Sequence, residues 1–183
     1  MASAGEETDR LVRLAEDLLV LARAGTHRLE VAREPVHVGE LVAREVAAFA
    51  PLAARHRCSI ETEVLVDGSV TLDPDRVRQI VGNLLDNAIR HSPEGTQVTV
   101  DACIDDGALV LGVSDEGEGF PTAFLPHAFE PFARAEASRS RSAGGTGLGL
   151  AIVRTLTEAH GGAAIARNRA EGGAQVVVTL PMS

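Results

Sequence analysis

One amphipathic helix with an unusual polar face constrains this chain most. In the run Arg78-Gln-Ile-Val-Gly-Asn-Leu-Leu-Asp-Asn-Ala-Ile-Arg-His-Ser-Pro93, a 100° turn per residue gathers Ile80, Val81, Leu84, Leu85 and Ala88, with Val77 before them, on one stripe. Gln79, Asn83, Asp86, Asn87 and Arg90 gather on the other. Asp73-Pro74-Asp75 supplies the start, with Asp as the cap and Pro at the first helical position. The apolar stripe predicts ordinary core. The polar stripe is less ordinary, because Asn is a mediocre helix former and two of them stand one turn apart. A solvated face is better served by Glu or Lys. A row of neutral oxygen ligands and donors facing a charged guest is served by Asn and Arg. The helix alone leaves both readings open.

Around this helix the pattern alternates between periods. Thr8 to about Ala24 is predicted as a helix with a broad apolar arc (Leu11, Leu14, Ala15, Leu18, Leu21, Ala22), suited to a bundle position, with Gly25 as its stop. Thr26 to Pro35 is a link containing a short extended piece, Leu29 to Glu34. Val38 to about Ala54 is a second helix, with Pro51 near its end. Strands are predicted over Cys58–Val66, Ser69–Leu72, Gln97–Ile104, Ala108–Ser114, Ala163–Asn168 and Ala174–Leu180. Asp105-Asp106-Gly107 turns one hairpin. A last helix follows Gly149 and stops at Gly161-Gly162. Residues 133–145, rich in Arg, Ser, Ala and Gly without periodicity, read as a mobile loop. Largely antiparallel strands with helices on one face predict an α+β fold, a two-layer α/β sandwich with a mixed sheet.

Composition excludes several classes. With 183 residues, 45% hydrophobic and 23% charged, the chain reads as a soluble globular domain with an appendage. No apolar run reaches membrane-spanning length. The net charge is −9 and no basic block is present, which argues against nucleic acid as a partner. All 17 basic residues are Arg, so neither a P-loop nor a Lys-dependent phosphate clamp is available. Cys58 and Cys103 lie far apart in predicted strands and read as two buried thiols.

Two glycine motifs bring chemistry. Gly145, Gly147 and Gly149 alternate just before an apolar helix, where backbone N–H groups and the helix dipole favour an anion. The GxGxG spacing and the preceding loop disfavour a dinucleotide fold. Asp115-x-Gly117-x-Gly119 directly follows a strand. Its glycines permit close approach of a flat ligand, and Asp115 can accept from an exocyclic amine; a turn with a solvated Asp is the plainer reading.

Together these motifs resemble the four boxes of sensor histidine kinases, in order and spacing: Asn83-Leu-Leu-Asp-Asn87-Ala-Ile-Arg90-His91, Asp115-Glu-Gly117-Glu-Gly119-Phe120, Phe129-Glu-Pro-Phe132-Ala-Arg134 and Gly145-Thr146-Gly147-Leu148-Gly149-Leu150. The resemblance covers about Val31 to Pro181 and implies the GHKL ATP-binding sandwich, with Mg²⁺ and ATP as ligands. It implies that Asp115 accepts from the adenine amino group and that Gly117 and Gly119 line the base pocket, with Phe120 beside them. Asn87 is expected to coordinate Mg²⁺, with Asn83 alongside. Arg90 is expected at the phosphates, where many relatives carry Lys, and His91 at the nucleotide. Gly145, Thr146, Gly147, Leu148 and Gly149 are expected to hinge a lid, Ala133 to Gly144, and to present N–H groups to phosphate. Phe129 and Phe132 anchor that lid or are plain core. Relatives that hydrolyse ATP, and the related serine kinases, resemble one another in carrying Glu where this chain has Asn83. A Glu serves as general base; an imidazole nucleophile needs none.

The N-terminal helix resembles the second helix of the family's dimerisation and phosphotransfer bundle, so residues 1–30 are expected to be bundle and linker and residues 31–183 the ATP-binding domain. The phosphoacceptor motif is absent, since His27, His37, His56, His91, His127 and His160 are followed by Arg, Val, Arg, Ser, Ala and Gly. The chain is therefore expected to be a fragment that begins after the acceptor helix, with no catalytic residue of its own and no autophosphorylation alone. The implied partners are the histidine-bearing bundle helix, a response regulator receiver domain and a second copy in a homodimeric parent. The implied location is cytoplasmic, with a membrane anchor in the parent an option. The alternatives are a nucleotide-binding regulatory module without turnover and a GHKL ATPase.

Overall fold

The computed structural model describes residues 4–24, 29–134 and 146–182. Helix α1 (Ala4–Ala24) begins one turn earlier than its periodicity predicts, and its expected stop at Gly25 lies outside the described residues. The expected extended piece falls later than Leu29–Glu34, as strand β1 (Glu34–Val36). Helix α2 (Val38–His56) runs on past Pro51. It ends where Arg57 turns into the left-handed region (φ 56°), with Arg57 N–H donating to Ala54 and Cys58 N–H to Ala53. Cys58 thus belongs to this helix cap and not to strand β2 (Ser59–Leu65), and both cysteines are half-buried rather than buried.

Strand β3 (Val70–Leu72) pairs antiparallel with β1 in a small sheet. Helix α3 (Pro74–His91) is the predicted central helix. Its cap works at both oxygens of Asp73. Oδ1 accepts from Arg76 N–H at 3.0 Å, and Oδ2 accepts from Ala32 N–H at 2.9 Å, tying the linker to the helix start. Every residue of the predicted apolar stripe is buried, and Ile89 joins it. Each large side chain among them contributes roughly 1.5–3 kcal/mol of hydrophobic stabilisation.

Strands β4 (Gln97–Asp105), β5 (Ala108–Ser114), β6 (Ala163–Asn168) and β7 (Ala174–Pro181) complete a five-stranded sheet of order β2-β4-β5-β7-β6. Only β2 and β4 run parallel, connected through β3 and α3, so the sheet is mixed and largely antiparallel. A 3₁₀ turn (Leu125–His127) follows β5, and helix α4 (Gly149–Ala159) precedes β6. Helices α2, α3 and α4 lie against the sheet. Between the layers, Leu84, Leu85 and Ile89 of α3 and Ile152 and Leu156 of α4 meet Val98, Val100, Leu109, Leu111, Val178 and Leu180. Helix α1 lies against α4, burying Val20 and partly covering Leu14 and Leu21.

Candidate functional site

Three elements converge at one end of the sheet: the polar face of α3, the turn after β5 and the start of α4. Two contacts show how closely. A Cβ on Gly117 would overlap the backbone carbonyl of His91 at the end of α3, so only glycine fits there. A Cβ on Gly149 would lie 3.1 Å from Asn83 Oδ1, which places the first residue of α4 against the asparagine stripe.

Asp115 caps strand β5 and is 3% exposed. Its N–H donates to Ala174 O at 2.9 Å. Its Oδ1 accepts from Gly117 N–H at 2.8 Å and from Ala174 N–H at 3.1 Å. Oδ2 takes no protein donor among the described residues. A carboxylate fixed through one oxygen and open at the other is a rigid acceptor, matched to a ligand N–H.

The polar face of α3 divides its duties. Asn83 is half-buried; its Nδ2 donates to Gln79 O at 2.9 Å, and its Oδ1 faces Gly149. Asn87, also half-buried, has no hydrogen-bond partner among the described residues. Arg90 bonds Asp86 Oδ2 through Nε at 2.7 Å, and this hydrogen bond holds its pKa above the usual guanidinium value. His91 is exposed at the helix end.

Phe120 is half-buried, its ring stacked on Phe124 at a centroid distance of 6.2 Å. Phe129 packs on the core, whereas Phe132 is 63% exposed at φ 64°, which removes core packing as its explanation. Phe132 N–H donates to Gly147 O at 2.9 Å, joining the F-box segment to the glycine motif. Thr146 Oγ1 accepts from Leu148 N–H at 3.3 Å. Leu148 is 0% exposed, so its side chain packs in the core and only its backbone is left to face a ligand. Helix α4 has no side-chain cap and no acid in its first turn, which leaves its N-terminal dipole unneutralised for an anion. Gly145 and most of the expected lid, residues 135–144, lie outside the described residues.

The β6–β7 hairpin is the part of the site that the sequence pattern missed. Asn168 holds Phe120 by both main-chain groups, Arg169 bonds the carbonyl of Asp115, and Ala174 bonds its carboxylate. The paired Gly172-Gly173, both at positive φ, was the available signal. Among the described residues no cluster of three or more His, Cys, Asp or Glu side chains could hold a metal. The amide oxygen of Asn87 is of the hard type that a cation such as Mg²⁺ takes.

Sheet order, helix layer and site define an ATP-binding domain of the GHKL type. Residues 72–183 match the family described as histidine kinase-, DNA gyrase B- and HSP90-like ATPase. A probable sensor histidine kinase HK of Mycobacterium tuberculosis (strain CDC 1551 / Oshkosh) is 44% identical over 181 residues, which cover 99% of this chain and 46% of that protein. The sensor histidine kinase component HK1 of Mycobacterium tuberculosis (strain ATCC 25618 / H37Rv) is 45% identical over 141 residues, 77% of this chain and 79% of that protein. Full-length ShkA, solved in complex with AMPPNP, matches with a TM-score of 0.83 and 29% identity, over 97% of this chain and 37% of that chain. The chain belongs to the sensor histidine kinases, as their ATP-binding domain. It spans between 29% and 46% of the length of three curated kinases it matches.

Proposed function

We propose that residues 31–183 bind Mg·ATP and present its γ-phosphate to a histidine on a bundle helix outside this chain, for relay to a response regulator receiver domain. The observation that carries this reading is Asp115, whose open Oδ2 is an acceptor without a donor. Adenine supplies a donor at its exocyclic amine, where guanine presents an acceptor. From that anchor the phosphates run toward the start of α4, where unpaired N–H groups and Thr146 receive them. Asn87 would hold a divalent cation beside them, which would supply charge neutralisation. Arg90, kept on the same face by Asp86, and His91 border the phosphates. The family resemblance gives Gly145, Gly147 and Gly149 the role of hinging the lid.

Transfer then consists of positioning and electrostatic stabilisation. The acceptor imidazole's lone pair forms the N–P bond as the bond to the bridging oxygen of ADP breaks. Asn83 supports transfer over hydrolysis, because a carboxamide, unlike a carboxylate, is too weak a base to activate water. Residues 1–30 belong to the bundle and its linker, and the parent works as a homodimer in the cytoplasm. No helix of the described residues is long and apolar enough to cross a membrane.

Incubation with γ-labelled ATP, alone and with an isolated histidine-bearing bundle, tests this reading. Label should appear only on the added bundle. Tight nucleotide binding without transfer would leave a binding module, and steady phosphate release that disappears in Asn83→Ala would make the protein an ATPase.

A further inference from the structure

The tip of the β6–β7 hairpin lies behind the Asp115–Phe120 segment and is tied to both of its ends. At one end, the Asn168 side-chain amide forms a closed pair with the main chain of Phe120. Phe120 N–H donates to Asn168 Oδ1 at 2.7 Å, and Asn168 Nδ2 donates to Phe120 O at 2.8 Å. At the other end, the Arg169 guanidinium donates through Nη1 to the carbonyl of Asp115 at 3.1 Å. Between them, Gly119 adopts φ 74°, and a Cβ there would lie 2.7 Å from Asn168 Oδ1. Asn168 therefore occupies space that only a glycine at 119 leaves open.

These bonds act on main chain and none reaches into the site. A side-chain amide such as that of asparagine can satisfy one residue's N–H and C=O together, because it carries a donor and an acceptor side by side. The pair thus fixes the path of the segment whose other end orients the Asp115 carboxylate. Arg169 fixes that other end, with Glu171 4.0 Å from its Nε.

We infer that Asn168, seconded by Arg169, is a positioning residue that sets the geometry of the base pocket and hence the affinity for the adenine half of the nucleotide. The inference rests on the reading of Asp115 as the adenine acceptor. Losing the Asn168 pair lets the 115–120 segment relax, so the carboxylate and the pocket floor no longer hold their relative position. The phosphate side, built on α3 and α4, has no bond to the hairpin tip among those described.

Titration calorimetry with ATP and with inorganic tripolyphosphate, on the wild-type chain and on Asn168→Ala, Asn168→Asp and Asp115→Asn, tests this. Asn168→Ala should weaken ATP by about tenfold, which is about 1.4 kcal/mol, and leave tripolyphosphate unchanged. Asn168→Asp keeps the acceptor for Phe120 N–H and loses the donor, so it should fall between wild type and Ala. It also serves as the folded variant should Ala prove insoluble. Equal losses for ATP and tripolyphosphate would reveal a merely structural role and overturn the inference. Unchanged ATP affinity in the Asn168 variants, with a loss in Asp115→Asn, would overturn it while the adenine reading stands. Unchanged affinity in all of them would remove both.

Discussion

The carbonyl oxygen of Asp115 fills the space where residue 173 would carry a Cβ, so that Gly173 and Asp115 can be neighbours only because one of them has no side chain. Gly173 also lies at φ 86°. Gly173→Ala forces backbone apart and adds left-handed strain, costs of about 1–3 kcal/mol and about 1–2 kcal/mol respectively. A chemical denaturation midpoint well below wild type, with ATP affinity reduced in parallel, is the expected result.

Asp115→Asn replaces one acceptor oxygen by a donor nitrogen. A hydrogen bond to a charged group contributes roughly 1.5–3 kcal/mol, so ATP affinity should fall between about tenfold and a hundredfold. Isothermal titration measures it directly, and an unchanged dissociation constant refutes the adenine assignment.

Asn87→Ala should act through the cation. The wild-type domain is expected to bind ATP more tightly with Mg²⁺ than with chelator present. In Asn87→Ala that difference should shrink, while binding without Mg²⁺ stays near wild type. A full Mg²⁺ effect in the variant would move the cation's ligand elsewhere.

Asp73→Ala removes the cap of α3 and the bond to Ala32 together. Cap loss alone costs about 0.5–2 kcal/mol. The thermal midpoint should drop by about 2–4 °C for each kcal/mol lost. Asp73→Asn, which keeps acceptor oxygen at the cap, should recover part of it.

His160 gives the fold a pH dependence of defined sign. It is 1% exposed, its Nδ1 donates to Leu156 O at 2.8 Å, and Nε2 is buried without a partner. Burial pushes its pKa below 6.5; Arg33 and Arg76 push the same way, and the Leu156 bond and Asp73 oppose. The unfolded chain therefore takes up this proton first. Stability is fully present above about pH 6.5 and is lost as pH falls toward the folded value. Glu45 and Asp101, both raised by burial, act with the opposite sign, and their unfolded carboxyls titrate near pH 4. Denaturation between about pH 7.5 and about pH 5.5 should show a decline that flattens in His160→Gln.

What could be read from the sequence follows from range. Helix α3 declared itself through local signals, with Asp73 and Pro74 at its start and an unbroken apolar stripe. The β4–β5 hairpin did so through Asp105-Asp106-Gly107. The motif residues Asn83, Asn87, Asp115 and Gly117 were identified by spacing, and the fold brings them together. Contacts made across long separations were not legible. The Asn168 grip on Phe120 spans 48 residues, and no periodicity encodes it. The burial of the Leu148 side chain among glycines was not legible either, because it is decided by the layers α4 packs against. The end of α2 is legible to within two residues, at about Ala54 for His56, but its Arg57 cap has no sequence signal. The sequence leaves Phe132 as lid anchor or core, and the structure removes only the second, since Phe132 is exposed with its N–H bonded to Gly147 O.

Strand β7 follows every other strand in the chain but lies inside the sheet, between β5 and β6, and the N–H that steadies Asp115 belongs to its first residue, Ala174. During synthesis, which proceeds at about 5–20 residues per second, strands β2, β4 and β5 emerge with an unpaired edge where β7 will dock. The Asp115 carboxylate emerges with them, ahead of its Ala174 partner. The Asp115 carboxylate therefore gains its second donor late, and a chain stalled before residue 174 would expose an unpaired sheet edge while that carboxylate is held by Gly117 alone.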